Sequence, residues 1–146
     1  MAGKVLYTAE AHVEGGRNDG RARATDGQLD VRIRPPKELG GDGEGTNPEQ
    51  LFAVGFASCF ESALSLVARR KKLSADDVAI DSKVMLLPTE ERGFKLAVEL
   101  DVTLPSVSDA SEAADLVRTA HRVCPYANAT RGNIDVALTV NGEALD

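Results

Sequence analysis

The chain has no tryptophan and only two each of cysteine, histidine, tyrosine and methionine, and aromatic residues fill just 4% of its 146 positions. Two cysteines cannot build the dense disulfide framework of a small secreted domain, and no Cys-x-x-Cys motif occurs. None is needed, because a chain of this length buries roughly 68% of its unfolded surface on folding. Positive charge is also scarce. Lys and Arg total 17 against 23 Asp and Glu, a net charge of −6. That balance argues against nucleic acid and against an anionic membrane surface, both of which require clustered cations. The longest apolar run, residues 51–60, falls short of the ~18 residues a membrane span needs. The start, Met1-Ala2-Gly3-Lys4-Val5, has no secretory apolar region, and Ala2 stands where myristoylation requires glycine. The expectation is one soluble domain over residues 1–146, in the cytosol, where structural disulfides are rare.

The patterning is mixed. Val5, Tyr7, Ala9, Ala11 and Val13 alternate as in a strand. The Thr25-Asp26-Gly27-Gln28 segment is a hairpin signal before alternating Leu29, Val31 and Ile33, which Pro35 and Pro36 end. Residues 40–45 read as a flexible, glycine-rich loop. Asn47, Pro48 and Gln50 then have the N-cap, N1 and N3 character of a helix start. That helix is predicted to reach about Lys72, with Arg69 to Lys72 at its negative dipole end. Its stretch over residues 51–60 is apolar on every face, which predicts burial on all sides, partly against a second subunit. Strands are predicted over 78–87 and 94–104, joined by a turn at 88–93. A second helix capped by Ser108 is predicted to stop at Pro125, and Ile134, Val136, Leu138 and Val140 read as a closing strand. Strands, helix, strands, helix and strand make an α+β pattern.

Cys59 falls about twelve residues into the first helix, roughly 18 Å from its start and beyond the reach of the dipole. Apolar surroundings raise a thiol's pKa, so an active Cys59 needs a cation from elsewhere. The plainer reading is a small buried hydrophobe. Cys124, at a helix end beside Pro125, suits a partner that condenses with an oxidised Cys59. Two unrelated buried thiols, a structural disulfide, and a zinc site from Cys59, Cys124, His12 and His121 are the other readings. Arg17, after Gly15-Gly16, is the leading candidate cation, with Arg131 as a competitor and solvation as the plain alternative. Glu49 is the matching carboxylate, or simply complements the helix dipole. Glu49 and Cys59 lie about 15 Å apart along one helix, so a shared arginine favours a two-fold dimer with composite sites.

Gly15-Gly16-Arg17, Glu38-Leu39-Gly40-Gly41, the run from Thr46 to Phe52, and Ala57-Ser58-Cys59-Phe60 resemble the organic hydroperoxide resistance (Ohr) proteins of the OsmC/Ohr superfamily. The most specific piece is Cys124-Pro125-Tyr126-Ala127-Asn128-Ala129-Thr130-Arg131-Gly132-Asn133-Ile134-Asp135-Val136. The resemblance implies an intertwined α+β homodimer, with antiparallel sheets around a long buried central helix. It implies a thiol peroxidase that reduces organic hydroperoxides, fatty-acid hydroperoxides among them. Cys59 would be peroxidatic and Cys124 resolving, with Arg17 holding the thiolate and Glu49 orienting Arg17. It implies re-reduction by dihydrolipoamide or a lipoylated protein, with no bound cofactor and no metal. Phe56, Phe60 and Tyr126, with Phe52 and Met85, are candidates for an apolar mouth. The family pattern Gly-Gly-Arg-Asp-Gly is one residue longer here, through Asn18, which makes Arg21 the fallback for Arg17.

Overall fold

The structure is a computed structural model that describes residues 3–16 and 18–146. The chain divides between Pro48 and Glu49 into two compact units. The first holds β1 (Ala11–Glu14), β2 (Gly20–Ala24) and β3 (Asp30–Ile33), antiparallel in the order β1-β2-β3. The Asp-Gly hairpin forms as predicted. Gly27 takes φ 77° and the Gln28 N–H donates to Asp26 Oδ1 at 2.9 Å. The first strand is shorter than its sequence pattern. Pairing stops at Ala11↔Ala24, and Val5, Leu6 and Tyr7 are left exposed without strand structure. Alternation makes a segment able to pair, but a strand also requires a neighbour to pair with.

The glycine-rich loop is not loose. Lys37–Leu39 form a 3-10 turn, and the Gly41 and Gly43 N–H groups donate to Pro36 and Pro35 carbonyls, each at 3.0 Å. The Arg34 guanidinium forks between Asp42 and Asp19, with Asp19 Oδ1 at 2.6 Å. That pairing holds the Asp42 carboxyl down to about 2.

The second unit takes α1 (Pro48–Arg70) from its second residue on, followed by β4 (Ala79–Pro88), β5 (Phe94–Thr103), α2 (Ala110–Val123), α3 (Pro125–Thr130), β6 (Val136–Val140) and β7 (Glu143–Leu145). Its sheet runs β4-β5-β6-β7. Pairing is antiparallel, as expected, except that β5 and β6 are parallel. A parallel pair requires a long crossover, and α2 and α3 provide it. The cap of α2 is Asp109 rather than Ser108. The Asp109 carboxylate accepts the Glu112 N–H at 2.9 Å, and Asp109-x-x-Glu112 has the capping-box spacing. Pro125 ends α2 but also starts α3, because a proline suits the first turn of a new helix. Neither α3 nor β7 is foreshadowed by the sequence pattern.

The core gathers Phe56, Phe60, Leu64 and Val67 of α1, Val98, Leu100 and Val102 of β5, and Leu116, Val117 and Ala120 of α2. Lys71, just past α1, pairs with Asp115 of α2 at 2.5 Å. Burial along α1 is one-sided. Phe56 and Phe60 are fully enclosed, whereas Val54 is 67% exposed. By length and composition α1 could also cross a membrane: it has 23 residues, and an 18-residue window reaches a mean hydropathy of 1.8. The unbroken apolar run alone understates this, because the window tolerates scattered polar residues. In this fold the helix supplies the core, with Phe56, Phe60, Ala63, Leu64, Val67 and Ala68 buried.

Candidate active site

The two cysteines, 65 residues apart in sequence, meet. Cys124 Sγ lies 3.4 Å from Cys59 Sγ, and both thiols are free. A disulfide requires 2.03–2.05 Å, so closure needs an approach of roughly 1.4 Å. The two environments differ. Cys59 is half-buried in mid-α1, while Cys124 has no exposed surface. Burial pushes the Cys124 thiol up to about 11. The neighbouring Cys59 sulfur adds to that shift, and hydrogen bonding from the Ala127 backbone opposes it. At neutral pH Cys124 is therefore a thiol, and its S–H points at Cys59 as a weak donor.

Cys124 sits in a break between helices. Its φ of −63° and ψ of 122° leave the helical region, as the following proline demands. Its N–H still donates to Ala120 O at 2.8 Å, and its carbonyl accepts the Asn128 N–H at 3.0 Å. The residue thus belongs to both α2 and α3.

Beside the sulfurs lies a three-ring cluster. Phe52 and Phe56 of α1 meet Tyr126 of α3 with centroids 5.7–6.0 Å apart, Phe52 against Phe56 edge-on at 81°. Tyr126 lies over Gly55, where an added Cβ would come within 2.7 Å of its hydroxyl oxygen. Tyr126 is 37% exposed and Phe52 half-buried, whereas Phe56 and Phe60 present no surface. Of the predicted mouth residues, then, Tyr126, Phe52 and Met85 present surface, and Phe56 and Phe60 do not. Met85 is a half-buried strand residue opposite Ala97.

Glu49 is half-buried in the first turn of α1. Arg17 lies outside the described residues. Asp19, two positions on, is held by Arg34. The other candidate cations are occupied. Arg21 makes a two-pronged pair with Asp30, at 2.9 and 2.7 Å. Arg131 donates to the His121 carbonyl at 2.5 Å and to Asn128 Oδ1 at 2.7 Å. His12 is exposed on β1, and His121 is engaged by Arg131. Among the described residues no three His, Cys, Asp or Glu side chains gather as metal ligands. Sequence reasoning missed Gly55, although a glycine inside an apolar helix is a visible signal of close approach.

The α+β fold thus sets a buried thiol 3.4 Å from a half-exposed one on a long apolar helix. The family model for OsmC-like proteins matches residues 41–139, and the chain belongs to that family. It is 52% identical over 141 residues to the organic hydroperoxide resistance protein of Xanthomonas axonopodis pv. citri, covering 94% of this chain and 96% of the relative. It is 45% identical to organic hydroperoxide resistance protein OhrA of Bacillus subtilis, covering 92% and 96%. A solved organic hydroperoxide resistance protein from Legionella pneumophila superposes with a TM-score of 0.89 at 52% identity, covering 94% and 98%. Another from Vibrio cholerae, with captopril bound in one of its active sites, gives 0.92 at 42% identity, covering 97% and 96%.

Proposed function

We propose that this protein is a cysteine-based peroxidase of the cytosol that reduces organic hydroperoxides, including those of fatty acids, to alcohols. The observation that carries the reading is the 3.4 Å approach of a half-exposed sulfur to a fully buried one. The relatives' name, organic hydroperoxide resistance protein, supports the substrate class. The Cys59 thiolate attacks the distal peroxide oxygen, the O–O bond breaks, and an alcohol leaves. Cys59 is then a sulfenic acid. Cys124 attacks its sulfur, the S–O bond breaks, and the hydroxyl leaves as water with the Cys124 proton. A dithiol, dihydrolipoamide or a lipoylated protein, restores both thiols. No bound cofactor takes part.

Arg17 supplies the positive field that stabilises the thiolate, and Glu49 orients it. The two units act as one domain over residues 1–146, in an intertwined homodimer whose partner completes each site. Tyr126 and Phe52 form the rim of an apolar mouth, backed by Phe56 and, deeper, Phe60. Apolar contact rewards an alkyl chain by about 25 cal/mol per Å² buried, an advantage hydrogen peroxide lacks.

The test is a steady-state assay with dihydrolipoamide. Turnover of tert-butyl hydroperoxide should exceed that of hydrogen peroxide and vanish in Cys59→Ser. Full turnover by Cys59→Ser would falsify the assignment. Stoichiometric oxidation without turnover would make the protein a redox-responsive binder instead.

A further inference from the structure

We propose that Arg131 is a positioning residue for disulfide closure, acting as a clamp across the helix break that carries Cys124. Cys124 comes three residues after His121 and seven before Arg131. The Arg131 backbone N–H caps α3 by donating to Ala127 O at 2.9 Å. Its side chain turns back the other way. One terminal nitrogen donates to the His121 carbonyl of α2 at 2.5 Å and lies 3.3 Å from His121 Nδ1. The other donates to Asn128 Oδ1 of α3 at 2.7 Å. A single rigid guanidinium therefore bonds the last turn of α2 and the body of α3, with Cys124 between them.

Physical chemistry explains why an arginine suits this place. The final carbonyls of a helix have no partner within it, and their end of the dipole attracts a cation. A planar fork reaches two acceptors at a fixed separation, which an ammonium cannot do. By fixing the angle between α2 and α3, the clamp sets the direction of the Cys124 side chain and keeps its sulfur 3.4 Å from Cys59. Intramolecular reactions are steeply sensitive to such placement. The step concerned rests on the peroxidase reading: the Cys59 S–O bond breaks, the Cys59-Cys124 S–S bond forms, and water carries off the hydroxyl with the Cys124 proton.

The experiment separates the two chemical steps in Arg131→Ala and Arg131→Lys. Peroxide consumption by the reduced protein is read in a single turnover with tert-butyl hydroperoxide. Closure is read as the decay of dimedone-reactive sulfenic acid. Arg131→Ala should leave the first step within about twofold and slow closure about tenfold, with Arg131→Lys between. A second readout needs no peroxide. Equilibration of the Cys59-Cys124 pair with dithiothreitol buffers should show the disulfide weakened about tenfold, a rise of about 30 mV in its potential. Unchanged closure and unchanged equilibrium would overturn the proposal, as would equal loss of both steps, which would assign Arg131 to the fold alone. If wild-type protein consumed no peroxide, the peroxidase reading would fail, and the dithiothreitol equilibrium would still decide the clamp.

Discussion

Gly55 of α1 and Tyr126 of α3 are a matched pair, because the ring occupies the space a side chain on residue 55 would fill. Alanine in a helix interior gains about 1 kcal/mol over glycine. Here that gain is outweighed. A Cβ 2.7 Å from the hydroxyl and 3.2 Å from two ring carbons displaces Tyr126 from Phe52 and Phe56. Separating each pair of rings costs about 0.5–1.5 kcal/mol. Gly55→Ala should therefore destabilise the protein by about 1 kcal/mol in urea unfolding. In a Tyr126→Ala background the same change should stabilise it. A stabilising Gly55→Ala in the native background would refute the pairing.

The thiols should react in a fixed order. With Cys124 pushed up to about 11, its thiolate fraction at pH 8 is on the order of 10⁻³. Iodoacetamide should label Cys59 first, and Cys124 should become reactive in native protein only as pH approaches 11. Mass spectrometry of partly alkylated protein reads the order directly. The raised value also means that the folded state holds this proton more tightly than the unfolded chain does. Its contribution to stability is full below 9.0 and is lost as pH rises towards about 11.

Acid should act through His121. Burial, then Arg131 and Arg122, hold its pKa below 6.5. The unfolded chain accepts a proton here before the folded one does. Stability is complete above pH 6.5 and declines as pH falls below it. His121→Gln should flatten the change in urea midpoint between about pH 7.5 and about pH 5.5, a window that brackets the ordinary histidine range. A midpoint equally steep in the variant would assign that slope to other groups.

Asn141 closes the second sheet. It holds φ at 48°, and its side-chain oxygen accepts the N–H of fully buried Leu104 at 2.7 Å. Leaving that N–H unmet costs about 1–3 kcal/mol. Asn141→Ala adds backbone strain to the loss, whereas Asn141→Gly removes only the side-chain hydrogen bonds, including those the Asn141 amide donates to the Leu104 and Val107 carbonyls. Chemical denaturation should rank glycine above alanine, and the reverse order would contradict this account.

Much of this architecture is legible in the sequence, for reasons that differ by element. The long helix, the Asp-Gly hairpin and the strictly alternating β5 each follow from local chemistry. The differences lie where a partner decides. Residues 5–9 alternate but have nothing to pair with among the described residues. Pro125 reads as a stop because the rule for the residue before a proline is local, whereas α3 is held by Arg131 on Asn128 and by the Thr130 hydroxyl on the Tyr126 carbonyl. Asp109 displaces Ser108 as the cap because its carboxylate reaches the Glu112 N–H. For the site, the residue types suggest a cysteine pair, and only folding brings Cys124 to Cys59. The engagement of Arg21 by Asp30 and of Arg131 by His121 depends on strand register and helix angle, which no spacing encodes.

The parallel alignment of β5 with β6 carries a cost in time. Because its register spans the whole helical crossover, it cannot form until the chain through Val140 exists, and distant pairings of this kind assemble slowly. Cys59 is synthesised long before the segment that carries Cys124, so every newly made molecule passes through an interval in which that sulfur lacks its neighbour. Oxidants met in that interval would strike an immature chain, before its own C-terminal strands have locked.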